Sequence, residues 1–170
     1  LRRSSAASDV YKRQVNNTHL SFKKENNQIK VANLGLPTFK DHLLTIKYGG
    51  KPPVAKNPPW DGGVTWSRDS EGFPWVSVSC QTNGAHIWFP CKEHPSDKAD
   101  GAEIIITAPE QLIAVGNGLL ISKEKQKDRW VKWHWQTKFP ISTYNINGNF
   151  ELVETTSYLF EDPLKIEYYV

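Results

Sequence analysis

From Thr18 onward the chain is cut into short runs of alternating or β-branched residues with turn formers between them, and no stretch carries an amphipathic pattern three helical turns long. A chain patterned this way buries its apolar side chains by pairing strands, because a two-residue period puts alternate residues on one face. Strands are expected at 19–22, 28–31, 42–48, 64–67, 75–80, 87–89, 103–107, 129–136, 150–154 and 164–169, with Asn26-Asn27 as the turn between the first two. Residues 51–60 carry Pro52, Pro53, Pro58 and Pro59. Their missing amide donors make that segment an extended loop rather than a ladder strand. Asn117-Gly118, between LIAV and LLIS, is the strongest hairpin signal, since both residues tolerate positive φ. Within 129–136, Val131, Trp133 and Trp135 share one face, opposite Lys132, His134 and Gln136. The one helix candidate is a turn near 95–98. The expected fold class is all-β and antiparallel, with little or no helix.

At 170 residues the chain has room for one domain that buries about two-thirds of its unfolded surface. No window approaches the roughly eighteen apolar residues of a membrane-spanning helix. Seven Trp, six Tyr and seven Phe exclude a disordered tail, and two Cys exclude a disulfide-built scaffold. The net charge of +3 is local. Residues 1–14 (LRRSSAASDVYKRQ) hold four of the 21 basic and one of the 18 acidic side chains, which leaves 17 of each in residues 15–170. That balanced body gives no footprint for nucleic acid. The first fourteen residues resemble translated sequencing-adapter read-through and lack the apolar core of a secretory signal. They are expected to be a non-native, disordered tail. With no Met in the chain, residues 15–170 are expected to come from a gene that begins upstream of Val15.

Self-contained chemistry is hard to find. Cys80, His86, Cys91 and His94 fall together, but their C-x5-H-x4-C-x2-H spacing lacks the paired C-x2-C or H-x3-H that lets one turn present two ligands. Buried thiols and surface imidazoles are the expected reading, with no metal site. H-E-x-x-H, G-x-S-x-G and the glycine-rich phosphate loops are all absent. No catalytic residue is expected in this chain. Exposed Trp residues would suit sugar stacking, but Trp133 and Trp135 pattern as core beside Val131.

Residues 57–118 alter the balance. NPPWDGGVTW, then PWVSVSCQTNGAHIWFPCKEHPSDKADGAEIIITAPEQLIAVGNG, resembles the amino-terminal domain of the aminopeptidase N and leukotriene hydrolase family of zinc metallopeptidases, the gluzincins. The densest similarity is Cys80-Gln81, then Pro90-Cys91, Pro95 and Lys98, a β-branched strand, Pro109, and Ala114-Val115 before Asn117-Gly118. WDGG with the PC…HPSDK loop is similar to bacterial, Bacteroidota-like members. A weaker likeness runs from Thr18 to Val170 and includes Pro140-Ile141 and Tyr144-Asn145.

The resemblance implies a saddle-like or sandwich β domain over residues 15–170 that caps a separate zinc-bearing catalytic domain. Zinc, the catalytic residues and the zinc ligands would then belong to that domain, and the partners would be a peptide substrate and the catalytic domain itself. One position carries over: Gln81 matches the Gln or Glu that the family's β domain offers to the substrate's free α-amino group. The plain alternative is a Gln capping a strand end. Two departures stand out. Ser79 occupies a position where many members carry another Gln, which bears on side-chain preference, and Glu93 replaces the usual Asp, which is expected only to reshape a turn. Cys80 and Cys91 are expected to be free thiols, on positions that sequence alone does not bring together. The rival functions are a carbohydrate-binding β-sandwich and the β domain of an epoxide-hydrolase-type or catalytically dead homologue.

Overall fold

The computed structural model of the protein describes residues 9–15, 18–25, 28–31, 35, 37, 39, 41–151, 155–159 and 165–169. The chain runs through β1 (Asp9–Val15), β2 (Thr18–His19), β3 (Phe22–Glu25), β4 (Gln28–Val31) and β5 (Leu44–Gly49). It continues through β6 (Gly63–Arg68), β7 (Pro74–Ser79), β8 (Lys98–Ala99), β9 (Ala102–Pro109) and β10 (Ile113–Gly116). The last strands are β11 (Leu119–Lys125), β12 (Trp130–Thr137), β13 (Ile141–Ser142), β14 (Gly148–Glu151), β15 (Thr155–Leu159) and β16 (Lys165–Tyr169). Every strand ladder among them is antiparallel. Among the described residues, helix is limited to three-residue 3₁₀ turns, so the fold is all-β. The Asn26-Asn27 turn and the end of the expected 150–154 strand lie outside the described residues.

The main core forms where the sheet β11-β12-β9 packs near β10 of the sheet β10-β14-β7-β6. Alternation explains it. On β12, Val131, Trp133 and Trp135 are buried, and their register partners on β9 are Ala108, Ile106 and Ile104, also buried. Each buried residue therefore faces a buried residue, and a one-residue slip would turn the whole set to solvent. Burying side chains of this size contributes about 1.5–3 kcal/mol each. Trp135 also meets its polar demand, with Nε1 donating to the Ala114 carbonyl at 2.9 Å.

Four sequence expectations need correction. Residues 9–14 of the supposed tail are strand, part of β1, which pairs with both β2 and β5. An unpaired β5 edge would leave a row of amide and carbonyl groups without partners, and β1 supplies them. Residues 87–89 are not a strand: the 3₁₀ turn Ala85–Ile87 ends there, with Trp88 and Phe89 amides donating to the Ala85 carbonyl at 3.1 and 3.3 Å. The run is ended by Pro90, which has no amide to donate to a ladder. Residues 95–96 form a turn and no helix, and Lys98 already belongs to β8. Asn117-Gly118 closes no hairpin, because β10 pairs with β14 whereas β11 pairs with β12. The dipeptide instead carries the chain from one sheet to the other. Gly118 has φ 93° and sits against the Gln136 carbonyl, where a Cβ has no room.

Candidate functional site

Strand β7 separates two environments. Val76 and Val78 line an apolar cavity of about 500 Å³ with Trp66, Ile104 and Ile106, which is the space between the sheets. Another cleft, of about 400 Å³, is lined by Ser77, Ser79 and Gln81 together with Val78, Cys80, Pro59 and Tyr144. The period of two places these three polar residues together, and Gln81 lies just past the end of the strand. Ser79 Oγ donates to the Pro59 carbonyl at 2.8 Å, so its hydroxyl holds the proline loop in place. The lining of this cleft is richer in polar side chains than that of the larger, mostly apolar cavity.

Behind Gln81 the chain doubles back at once. The Asn83 amide donates to the Gln81 carbonyl at 2.8 Å, and the Gly84 amide to the Cys80 carbonyl at 2.7 Å. Thr82 is held at φ 61°, a left-handed conformation that β-branched residues rarely adopt, and its hydroxyl donates to Asn83 Oδ1 at 2.8 Å. Gly84, at φ 88°, lies where a Cβ would meet the Glu93 carboxylate. That carboxylate accepts the His86 amide at 2.8 Å and pairs with His86 Nδ1 at 2.5 Å. With its side chain 12% exposed, His86 is not the surface imidazole the sequence suggested. Glu93 does more than reshape a turn: it ties the loop that carries Gln81 to the segment after Cys91.

A second segment reaches the same place from far along the chain. Tyr144 Oη donates to Gln81 Oε1 at 2.6 Å. Tyr144 belongs to the 3₁₀ turn Thr143–Asn145, which packs on the turn Ala85–Ile87 and follows the β13–β8 pairing. Thr143 Oγ1 donates to the Lys92 carbonyl at 3.4 Å. Just beyond, the Asn147 amide donates to Asn117 Oδ1 at 2.8 Å. Sequence reasoning missed Tyr144 as a partner of Gln81, because nothing in local spacing links two residues 63 positions apart.

Cys80 and Cys91 are free, buried and in one apolar cluster with Ala85, so the fold joins two positions that the sequence left apart. Burial, with a smaller contribution from the nearby Glu93 carboxylate, pushes the Cys80 thiol up to about 11 and the Cys91 thiol up to about 12. Thiols so placed stay protonated at neutral pH and are poor nucleophiles and poor metal ligands. His94 is exposed and bonded to Ser96 Oγ at 2.8 Å. The four Cys and His residues therefore do not converge. Among the described residues no group of three or more His, Cys, Asp or Glu is placed to hold a metal ion.

Known proteins share this arrangement of strands. Residues 3–145 match the Peptidase M1 N-terminal domain. The chain belongs to that family. As an M1 amino-terminal domain it is similar to Aminopeptidase O of Rattus norvegicus, 23% identical over 131 residues that cover 75% of this chain and 15% of the relative. Its fold is similar to the crystal structure of an M1 zinc metallopeptidase from Deinococcus radiodurans, with TM-score 0.74 and 19% identity over 94% of this chain and 36% of that one. A mutant M1 zinc metallopeptidase of that organism, bound to a Tyr-Ser-Ala substrate, gives TM-score 0.75 and 19% identity over 95% of this chain and 37% of its own. The chain thus spans 15% of the curated relative and about a third of each solved structure.

Proposed function

We propose that this M1 amino-terminal domain positions peptide substrates for a zinc-bearing catalytic domain, catalyses nothing itself, and uses Gln81 to accept a hydrogen bond from the substrate's α-ammonium. The observation that carries the reading is the setting of Gln81: an exposed amide just past the end of β7, on the rim of a cleft, with Oε1 held by Tyr144. An amide oxygen has two lone pairs, and Tyr144 takes one, which leaves the other for an incoming donor. An uncharged acceptor is one part of such a site. A carboxylate supplied by the catalytic domain would complete it with the stronger, charge-assisted bond. Peptide binding by the Deinococcus radiodurans enzyme agrees with a peptide as the ligand class. In this reading zinc and its ligands belong to the catalytic domain.

Steady-state kinetics of the complete enzyme carrying this domain test the proposal. Gln81→Ala removes one hydrogen bond to a charged group and should lower kcat/KM about ten- to a hundredfold while the fold survives. Gln81→Glu should keep amine binding and shift side-chain preference. Unchanged efficiency in Gln81→Ala sinks the reading, and loss of folding would make the residue structural.

A further inference from the structure

We infer that Tyr144 is a positioning residue for amino-terminus recognition: its hydroxyl fixes the Gln81 amide so that Oε1, rather than the amide nitrogen, is presented to the substrate's ammonium. The inference rests on the proposed role of Gln81 and adds a residue to it. An exposed glutamine samples several rotamers and two amide orientations, and only some of these present an acceptor. The 2.6 Å bond from Tyr144 Oη selects one, because a hydroxyl that donates must meet oxygen and not the NH₂ group.

The tyrosine is itself seated firmly enough to impose this. Its 3₁₀ turn is closed by the Ile146 amide donating to the Thr143 carbonyl at 3.2 Å. It is tied to the Gln81 side of the domain through Thr143 Oγ1 and the Lys92 carbonyl, and through the contact with the Ala85–Ile87 turn. Cys80 Sγ, one residue before Gln81, lies 3.8 Å from Asn147 Oδ1 and links the two segments again. Gln81 and Tyr144 are both exposed, so water competes for the amide whenever the tyrosine hydroxyl is absent. Tyr144 also lines a second cleft, of about 460 Å³, with Thr82, Asn83 and His94. It stands as the wall between two clefts, with its hydroxyl on the Gln81 side. An acceptor held in its bound orientation before substrate arrives loses less freedom on binding.

The test is a double-mutant cycle on the complete enzyme carrying this domain, with an aminoacyl anilide as substrate and thermal midpoints measured alongside. Y144F keeps the ring and deletes only the hydroxyl. It should raise KM about three- to tenfold with kcat within about twofold of wild type. Added to Q81A it should change nothing further, because there is no amide left to orient. Combined with Q81E its effect should shrink, since both carboxylate oxygens accept and there is no NH₂ group to turn away. If Q81A is impaired and Y144F is not, the inference fails and the Gln81 reading stands. A Y144F loss of equal size in the wild-type and Q81A backgrounds, with a lowered thermal midpoint, would show a structural residue and overturn the inference. If Q81A itself has no effect, both readings fail together.

Discussion

At Glu93 a single carboxylate accepts the amide and pairs with the ring of His86, and it fills the space a Cβ would need at Gly84. Glu93→Ala should therefore cost about 2–3 kcal/mol in urea denaturation, the loss expected for hydrogen bonds to a partly buried charge. Gly84→Ala should also destabilise, since it combines a left-handed backbone with a clash against that carboxylate. The two thiols beneath the loop give a pH signature. In the folded chain they hold their protons to about 11 and about 12, whereas an ordinary thiol gives its proton up near 9.0. A folded pKa above the unfolded one adds stability that is whole below pH 9.0 and is lost as pH rises through the folded values. Denaturation midpoints should fall from about pH 9 upward, and the double variant Cys80→Ala/Cys91→Ala should flatten that fall. A wild-type profile that stays level to pH 11 would contradict the burial of these thiols.

Among the elements, β12 carries the bulkiest side chains of the main core, Trp133 and Trp135. Trp135→Ala should cost about 3–5 kcal/mol, because it opens a cavity and leaves the Ala114 carbonyl without its donor. A loss below about 1 kcal/mol by denaturant titration would show that the two sheets do not meet there. At the other end, β1 tests what the first residues do. Deleting residues 1–14 removes most of β1, exposes the β5 edge and should promote association seen by light scattering. β12 was legible in the sequence because its alternation is strict and its buried face is apolar at each step. The turn Ala85–Ile87 and the divergence of β10 from β11 were not, since a short apolar run and an Asn-Gly pair are local signals. Partner choice among strands is decided by contacts far along the chain. The same limit governed the site: Gln81 was visible through its Cys80-Gln81 context, whereas Tyr144, Glu93 and the strain at Thr82 needed the fold.

At the scale of the whole molecule, the proposed reading makes the domain a scaffold whose recognition group is Gln81, on the rim of a cleft. The 170-residue chain alone should release no amino acid from aminoacyl substrates and take up no stoichiometric zinc, as read by chromogenic assay and metal analysis. One equivalent of tightly bound metal with measurable turnover would overturn the division of labour proposed for it. The most direct test of the Gln81 role is a crystal structure of the complete enzyme carrying this domain with a bound amino acid or short peptide. The account predicts Gln81 Oε1 at about 2.7–3.2 Å from the ligand's α-nitrogen, with Tyr144 Oη still on the same oxygen. An α-nitrogen held elsewhere, with Gln81 turned away from it, would contradict the account.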